Sequence, residues 1–194
     1  MKDRPDRELV RLSQDGNQDA FNELVQRHQE KVFNSVYRFR SNWNDAQDVT
    51  QRAFINAWKN IGKFKGDSSF TTWMYRIAFN QGVSQHREMG RHRAVSIHSE
   101  EGEGGIDPGY EADPSAPIEA DEKERQVHRV LALLGEEDRK IIVLKDLKDL
   151  SYDEIAEILE IPKGTVRSRL HRARLQMKEK WEQFSGTSPR EEAS

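Results

Sequence analysis

Apolar residues return along this chain at steps of three and four, the spacing that gathers them on one face of an α-helix. Phe21, Leu24, Val25, His28, Val32 and Val36 make one such stripe. Ala46, Val49, Ala53, Phe54, Ala57, Trp58 and Ile61 make a second, and Phe70, Trp73, Met74, Ile77 and Ala78 a third. Asn44 and Gln47 have the spacing of a capping box at the start of the second helix, and Gly62 is placed to end it. Between 94 and 122 the periodicity stops. That stretch holds EEGEGG, Pro108, Pro114 and Pro117, which reads as a flexible linker. Periodicity resumes over 123–184, and SGTSPREEAS at the end has the composition of a disordered tail. No alternating strand pattern stands out. The expected fold class is all-α: two small helical domains over 6–93 and 120–184, a flexible acidic linker over 94–119, and a tail over 185–194.

The second domain carries the clearest local signal. Ser151 and Glu154 form a capping-box pattern before Ile155, Ala156 and Leu159. Pro162 stops that helix, and Gly164 is expected to permit a tight turn into the next. Helix, short turn and helix is the helix-turn-helix arrangement. In the following helix Val166, Leu170, Ala173, Met177, Trp181 and Phe184 form a narrow stripe expected to face a core. Thr165, Ser168, His171 and Arg172 fall on the broadly opposite side, flanked by Arg167, Arg169 and Arg174. Basic side chains neutralise phosphates, and arginine can hold guanine through two hydrogen bonds. A solvated basic helix on an ordinary bundle is the alternative. The capping box, turn, stripe and basic face together favour DNA binding.

Charge at first argues against that reading, because the net charge is −3. Its distribution reverses the argument. Nine acids and no lysine or arginine stand in 94–122, so the rest of the chain carries 31 basic against 25 acidic residues. Cysteine is absent, which excludes disulfides and thiolate chemistry within the chain. MKDRPDRELV is charged where a signal peptide would be apolar, so a cytoplasmic protein is expected. His86, His92 and His98 recur at a six-residue step that does not share a helix face. No HExxH, phosphate-binding loop or nucleophile elbow is present, so no catalysis and no cofactor are expected. A receiver-type regulator would need strands alternating with helices. An adaptor, with the basic helix facing a protein, remains a competing class.

SYDEIAEILEIPKGTVRSRLHRAR (151–174) resembles the second conserved domain of the extracytoplasmic-function sigma factors. NDAQDVTQRAFINAW (44–58) resembles their polymerase-binding helix, and FKGDSSFTTWMYRIAFN (64–80) their promoter-melting segment. The resemblance implies core RNA polymerase, promoter DNA and an anti-sigma factor as partners, with no membrane insertion. It places Asp48, Gln51, Arg52, Phe54 and Trp58 at or near the polymerase contact. Lys63, Phe64, Lys65, Asp67, Ser68, Arg76, Asn80 and Arg87 would meet the minus-ten element. Lys163, Thr165, Arg167, Ser168, His171 and Arg172 would approach the minus-thirty-five element. One departure stands out: the family's D-x-x-Q-E reads Asp48-Val-Thr-Gln51-Arg52 here, a base in place of an acid. Aromatics among cations also suit single-stranded DNA, since rings stack on bases and cations follow phosphates. Phe70, Trp73, Tyr75 and Phe79 offer the rings, although helical spacing favours core packing for Phe70 and Trp73.

Overall fold

The computed structural model describes residues 1–80 and 122–186. Among these residues every regular element is helical. The first group comprises α1 (Asp6–Gln14), α2 (Gln18–Arg40), α3 (Trp43–Asn60), a 3₁₀ turn (Ile61–Lys63) and α4 (70–80). The second comprises α5 (Glu122–Ala132), α6 (Glu136–Ile142) continued by a π turn (Val143–Leu147), α7 (Tyr152–Leu159) and α8 (Lys163–Gly186). The whole of the expected linker (94–119), Arg87, the three spaced histidines and the tail from 187 onward lie outside the described residues.

The apolar stripes form the core they predict. Leu24, Val32 and Val36 of α2 are buried with Ala46, Val49, Ala53 and Ala57 of α3 and with Phe70, Met74 and Ala78 of α4. The ends of α3 differ from expectation. Its cap is Asn42, whose side chain accepts from the Asp45 amide, two residues before Asn44. A side-chain oxygen there meets one of the amides that a helix start leaves without a partner. The helix ends at Asn60 and tightens into the 3₁₀ turn, so Gly62 lies within that turn rather than ending α3. Tyr75 and Phe79 are buried, with Phe79 stacked on Phe39 at 5.4 Å. Neither ring is therefore available to stack on a base, which corrects that expectation.

In the second group the Ser151–Glu154 capping box is formed in both directions. The chain reverses after α7 at Glu160, which adopts a left-handed conformation at φ 53°. Gly164 sits inside α8, so the reversal does not depend on it. Val166, Leu170 and Ala173 are fully buried, whereas Met177, Trp181 and Phe184 are only half-buried. The stripe on α8 is thus a fully buried core face as far as Ala173 and a partly exposed one beyond it, where Met177 still packs against the core.

The two groups are docked on each other. His128 of α5 stacks on Tyr37 of α2 at 4.7 Å, and Arg139 of α6 donates to the Phe39 carbonyl at 2.9 Å. Arg38 pairs with Glu124. Lys140 is almost fully buried over the Phe39 ring, hydrogen-bonded to Glu137 and at ion-pair distance from Glu136, each 2.9 Å away. A buried ammonium needs such partners to offset its lost hydration.

Burial pushes the His128 imidazole below its ordinary 6.5; the Tyr37 carbonyl and Glu124 oppose this, and Arg38 and Arg139 reinforce it. The undocked ring binds a proton more readily than the docked one. Docking is therefore fully supported above 6.5 and weakens as pH falls through that value, until the docked ring also titrates. Energy transfer between labels on the two groups is expected to fall on acidification, and His128→Phe, which keeps a ring on Tyr37, is expected to abolish that component.

Candidate functional site

A groove of about 710 Å³ opens between α2 and α3. Val25, Gln29, Glu30 and Phe33 line one side, and Gln47, Thr50, Gln51, Phe54 and Ile55 the other. Helical geometry creates it: Val25, Gln29 and Phe33 recur every four residues on α2 and face Gln47, Gln51 and Ile55, spaced likewise on α3. Gln51 is exposed and Phe54 forms part of the buried base. Ile55 is 49% exposed, a large apolar side chain presented to solvent in the wall of a concave surface. Ile55 was not among the expected contacts. Its signal in the sequence is an isoleucine beside the polar edge of α3, one helical turn after Gln51.

Asp48 and Arg52 lie outside the lining of this groove. They face solvent and approach each other to 3.8 Å one turn apart. Trp58 lies farther along α3, where it packs on Phe21 at 5.0 Å and borders a smaller hollow with Gln18 and Asn22. The structure therefore brings Gln51 and Phe54 together with Ile55 and leaves Asp48, Arg52 and Trp58 around them.

The loop after α3 holds a second set. Lys63, Lys65 and Asp67 are exposed, and Ser68 is half-buried. Phe64 packs on Trp73 at 5.0 Å, and its carbonyl accepts from the Gln14 side chain at 2.8 Å. Gly66 takes a left-handed φ of 79°, which lets the loop turn sharply between two exposed polar residues. Arg76 and Asn80 extend this polar surface along α4. Both donate to Glu160, each at 3.2 Å. Ser68 donates to Glu157 at 3.4 Å, and Thr72 to Glu154 at 3.1 Å. The Ser151 backbone amide, together with the Ser151 and Thr72 hydroxyls, holds the Glu154 carboxyl below its usual range against partial burial.

On α8, Lys163, Arg167, Ser168, His171 and Arg172 are exposed, and Thr165 is half-buried. Three arginines are steadied by acids of the same domain: Arg169 by Glu137 at 2.7 Å, Arg172 by Asp138 at 3.0 Å, and Arg174 by Asp146. Lys163 reaches Asp153 at 2.8 Å. Arg167 makes no ion pair among the described residues. Asp138 is buried, so removing Arg172 also strips a partner from a desolvated carboxylate. Arg167→Ala is expected to lose specific duplex binding without loss of stability, whereas Arg172→Ala loses both. Titrations on cognate and scrambled duplexes beside thermal unfolding check this; equal loss on both duplexes would make Arg167 a phosphate contact.

No described helix is long and apolar enough to cross a membrane. Residues 24–92 match the family described as Sigma-70 region 2, and residues 124–177 that described as Sigma-70, region 4. The chain is 39% identical over 178 residues to the RNA polymerase sigma-H factor of Pseudomonas aeruginosa, covering 87% of this chain and 90% of that protein. It is 41% identical over 173 residues to the ECF RNA polymerase sigma-E factor of Escherichia coli K12, again over 87% and 90% of the two chains. CnrH, solved in complex with the cytosolic domain of CnrY, is similar at 26% identity and a TM-score of 0.65, over 94% of this chain and 99% of that one. The sigma factor RpoE of Bartonella quintana, solved with the anti-sigma factor NepR, shares the fold at 22% identity and a TM-score of 0.68, over 82% and 95%. With both regions matched in order and such similarity along nearly the whole of two curated relatives, the chain belongs to the extracytoplasmic-function sigma factors of the sigma-70 family, which are non-enzymatic transcription initiation factors.

Proposed function

We propose that the groove between α2 and α3 is the seat of the polymerase clamp, with Ile55, Gln51 and Phe54 at its centre and Asp48, Arg52 and Trp58 around it. As a sigma factor the chain binds core RNA polymerase and directs promoter-specific initiation. The observation that carries the assignment is the exposed Ile55 within a concave apolar surface, since such anchors dominate protein interfaces. The loop Lys63–Ser68, with Phe64, Arg76 and Asn80, receives the minus-ten strand, and Arg87, outside the described residues, is assigned to the same element by resemblance alone. Lys163, Thr165, Arg167, Ser168, His171 and Arg172 read the minus-thirty-five duplex, the early residues of a recognition helix being those that reach bases. The domains are assigned as 6–93 and 120–184, with 94–119 as linker and 185–194 as tail, a division supported by the matches to the two regions over 24–92 and 124–177.

Control by an anti-sigma factor is part of the same reading, supported by the complexes in which CnrH and the Bartonella factor were solved. The place of action is the cytoplasm. Reconstituted transcription with the cognate core tests the whole: promoter-specific product from templates selected by mapping transcription starts is expected, and its absence refutes the reading. Omitting the chain must abolish that product.

A further inference from the structure

We propose that Gln14, the last residue of α1, is a positioning residue for minus-ten recognition, fixing the entry of the loop that receives the strand. Its role rests on the assignment of Lys63–Ser68 to that strand. The Gln14 side-chain nitrogen donates to the Ile61 carbonyl at 3.1 Å and to the Phe64 carbonyl at 2.8 Å. A primary amide carries two N–H donors, and here both serve a single turn of chain. The Ile61 carbonyl also accepts from the Phe64 amide at 3.1 Å. Three hydrogen bonds thus fix the turn from which the loop departs, although the two carbonyls stand 47 and 50 positions from Gln14.

Gln14 itself is firmly mounted. Leu9 and Val10 of α1 are buried, and Asp6 at its start reaches the buried His28 of α2 at 2.6 Å. Three residues beyond Gln14, Asn17 caps α2 by accepting from the Ala20 amide at 3.0 Å. The far end of the loop is held separately, by the Ser69 hydroxyl, which accepts from the Thr72 amide at 3.0 Å at the start of α4. Between the two anchors Lys65, Gly66 and Asp67 are exposed. Burial of Ile61 and the packing of Phe64 on Trp73 keep the turn in place without Gln14. The bond to Phe64 is open to water, so it adds little to global stability. What the amide supplies is direction: it aims the loop before a base arrives, and a site ordered beforehand does not lose that entropy on binding. A base drawn from the stack is costly to release, so a loop already shaped for it discriminates better than one that must fold around it.

The test uses holoenzyme assembled with an excess of the cognate core. Gln14 is exposed and lies outside the lining of the clamp groove, so its variants keep the fold and the polymerase contact. Gln14→Met keeps the length of the side chain and suits a helix but has no donor. Gln14→Glu sets a carboxylate against two carbonyl oxygens. The probes are the non-template strand of a minus-ten element selected by mapping transcription starts, and the same strand with each base in turn removed to leave an abasic position. The parent is expected to bind the intact strand more tightly than at least one abasic strand. In Gln14→Met that ratio is expected to fall about fivefold, the scale of one net hydrogen bond, and in Gln14→Glu further. Affinity for the abasic strand, affinity for core and thermal unfolding are expected to match the parent. A ratio unchanged in both variants overturns the role of Gln14 and leaves the minus-ten assignment standing. Equal loss on every strand with a lowered unfolding temperature also overturns it, since Gln14 would then only support the fold. A parent that binds all the strands alike refutes the assignment of the loop, and the role of Gln14 with it.

Discussion

Ile55→Asp is expected to weaken binding to core RNA polymerase by about 30-fold or more, equivalent to about 2 kcal/mol or more at an interface hot spot. Ile55 is 49% exposed, so an aspartate there meets water in the free protein and leaves the fold intact. In the proposed clamp contact the same carboxylate would be closed into an apolar groove beside Val25, Phe33 and Phe54, where an unpaired charge is costly. Thermal unfolding of the variant is expected to match the parent while fluorescence anisotropy with labelled core shows the loss. An affinity within threefold of the parent would place the clamp contact elsewhere. Arg52→Glu is the instructive contrast. Arg52 already lies beside Asp48 on the exposed face of α3, outside the groove lining, so reversing it is expected to change core affinity only a few-fold.

The second large effect concerns stability. Leu170→Ala is expected to destabilise the second domain by about 3 kcal/mol, the usual scale for emptying a fully buried leucine site. Leu170 is 1% exposed and lies between Val166 and Ala173 on the fully buried part of α8. The loss falls on the element that carries Arg167 and His171. Minus-thirty-five binding is therefore expected to weaken although no outward side chain has changed. Hydrogen exchange of the α8 amides resolves the effect: they should exchange faster while those of α3 do not. Equal acceleration in both helices would mean that the two domains unfold as one unit.

The elements were legible because helices announce themselves locally. The stripes from Phe21 to Val36 and from Ala46 to Trp58 lie on α2 and α3, and the Ser151–Glu154 pair caps α7 through contacts three residues apart. Ends were less legible. Asn42 and Asn44 both suit an N-cap, and the choice between them depends on where Trp43 packs against Phe33, at 4.5 Å. Burial of Tyr75 and Phe79 was also hidden, because an aromatic among cations reads equally as a stacking platform or as core until a neighbour such as Phe39 closes over it.

By itself the sequence determined the helical class, the order of the two matched regions, the family and the outward face of α8. Each follows from spacing within a few turns or from a contiguous motif. The tertiary structure alone decided that Ile55, rather than Arg52, lines the groove between α2 and α3, and that Glu157 and Glu160 meet Ser68, Arg76 and Asn80 across some eighty or more positions of chain. A groove needs two helices to make its walls. A contact between distant residues depends on the packing of everything that lies between them, and no local period encodes it.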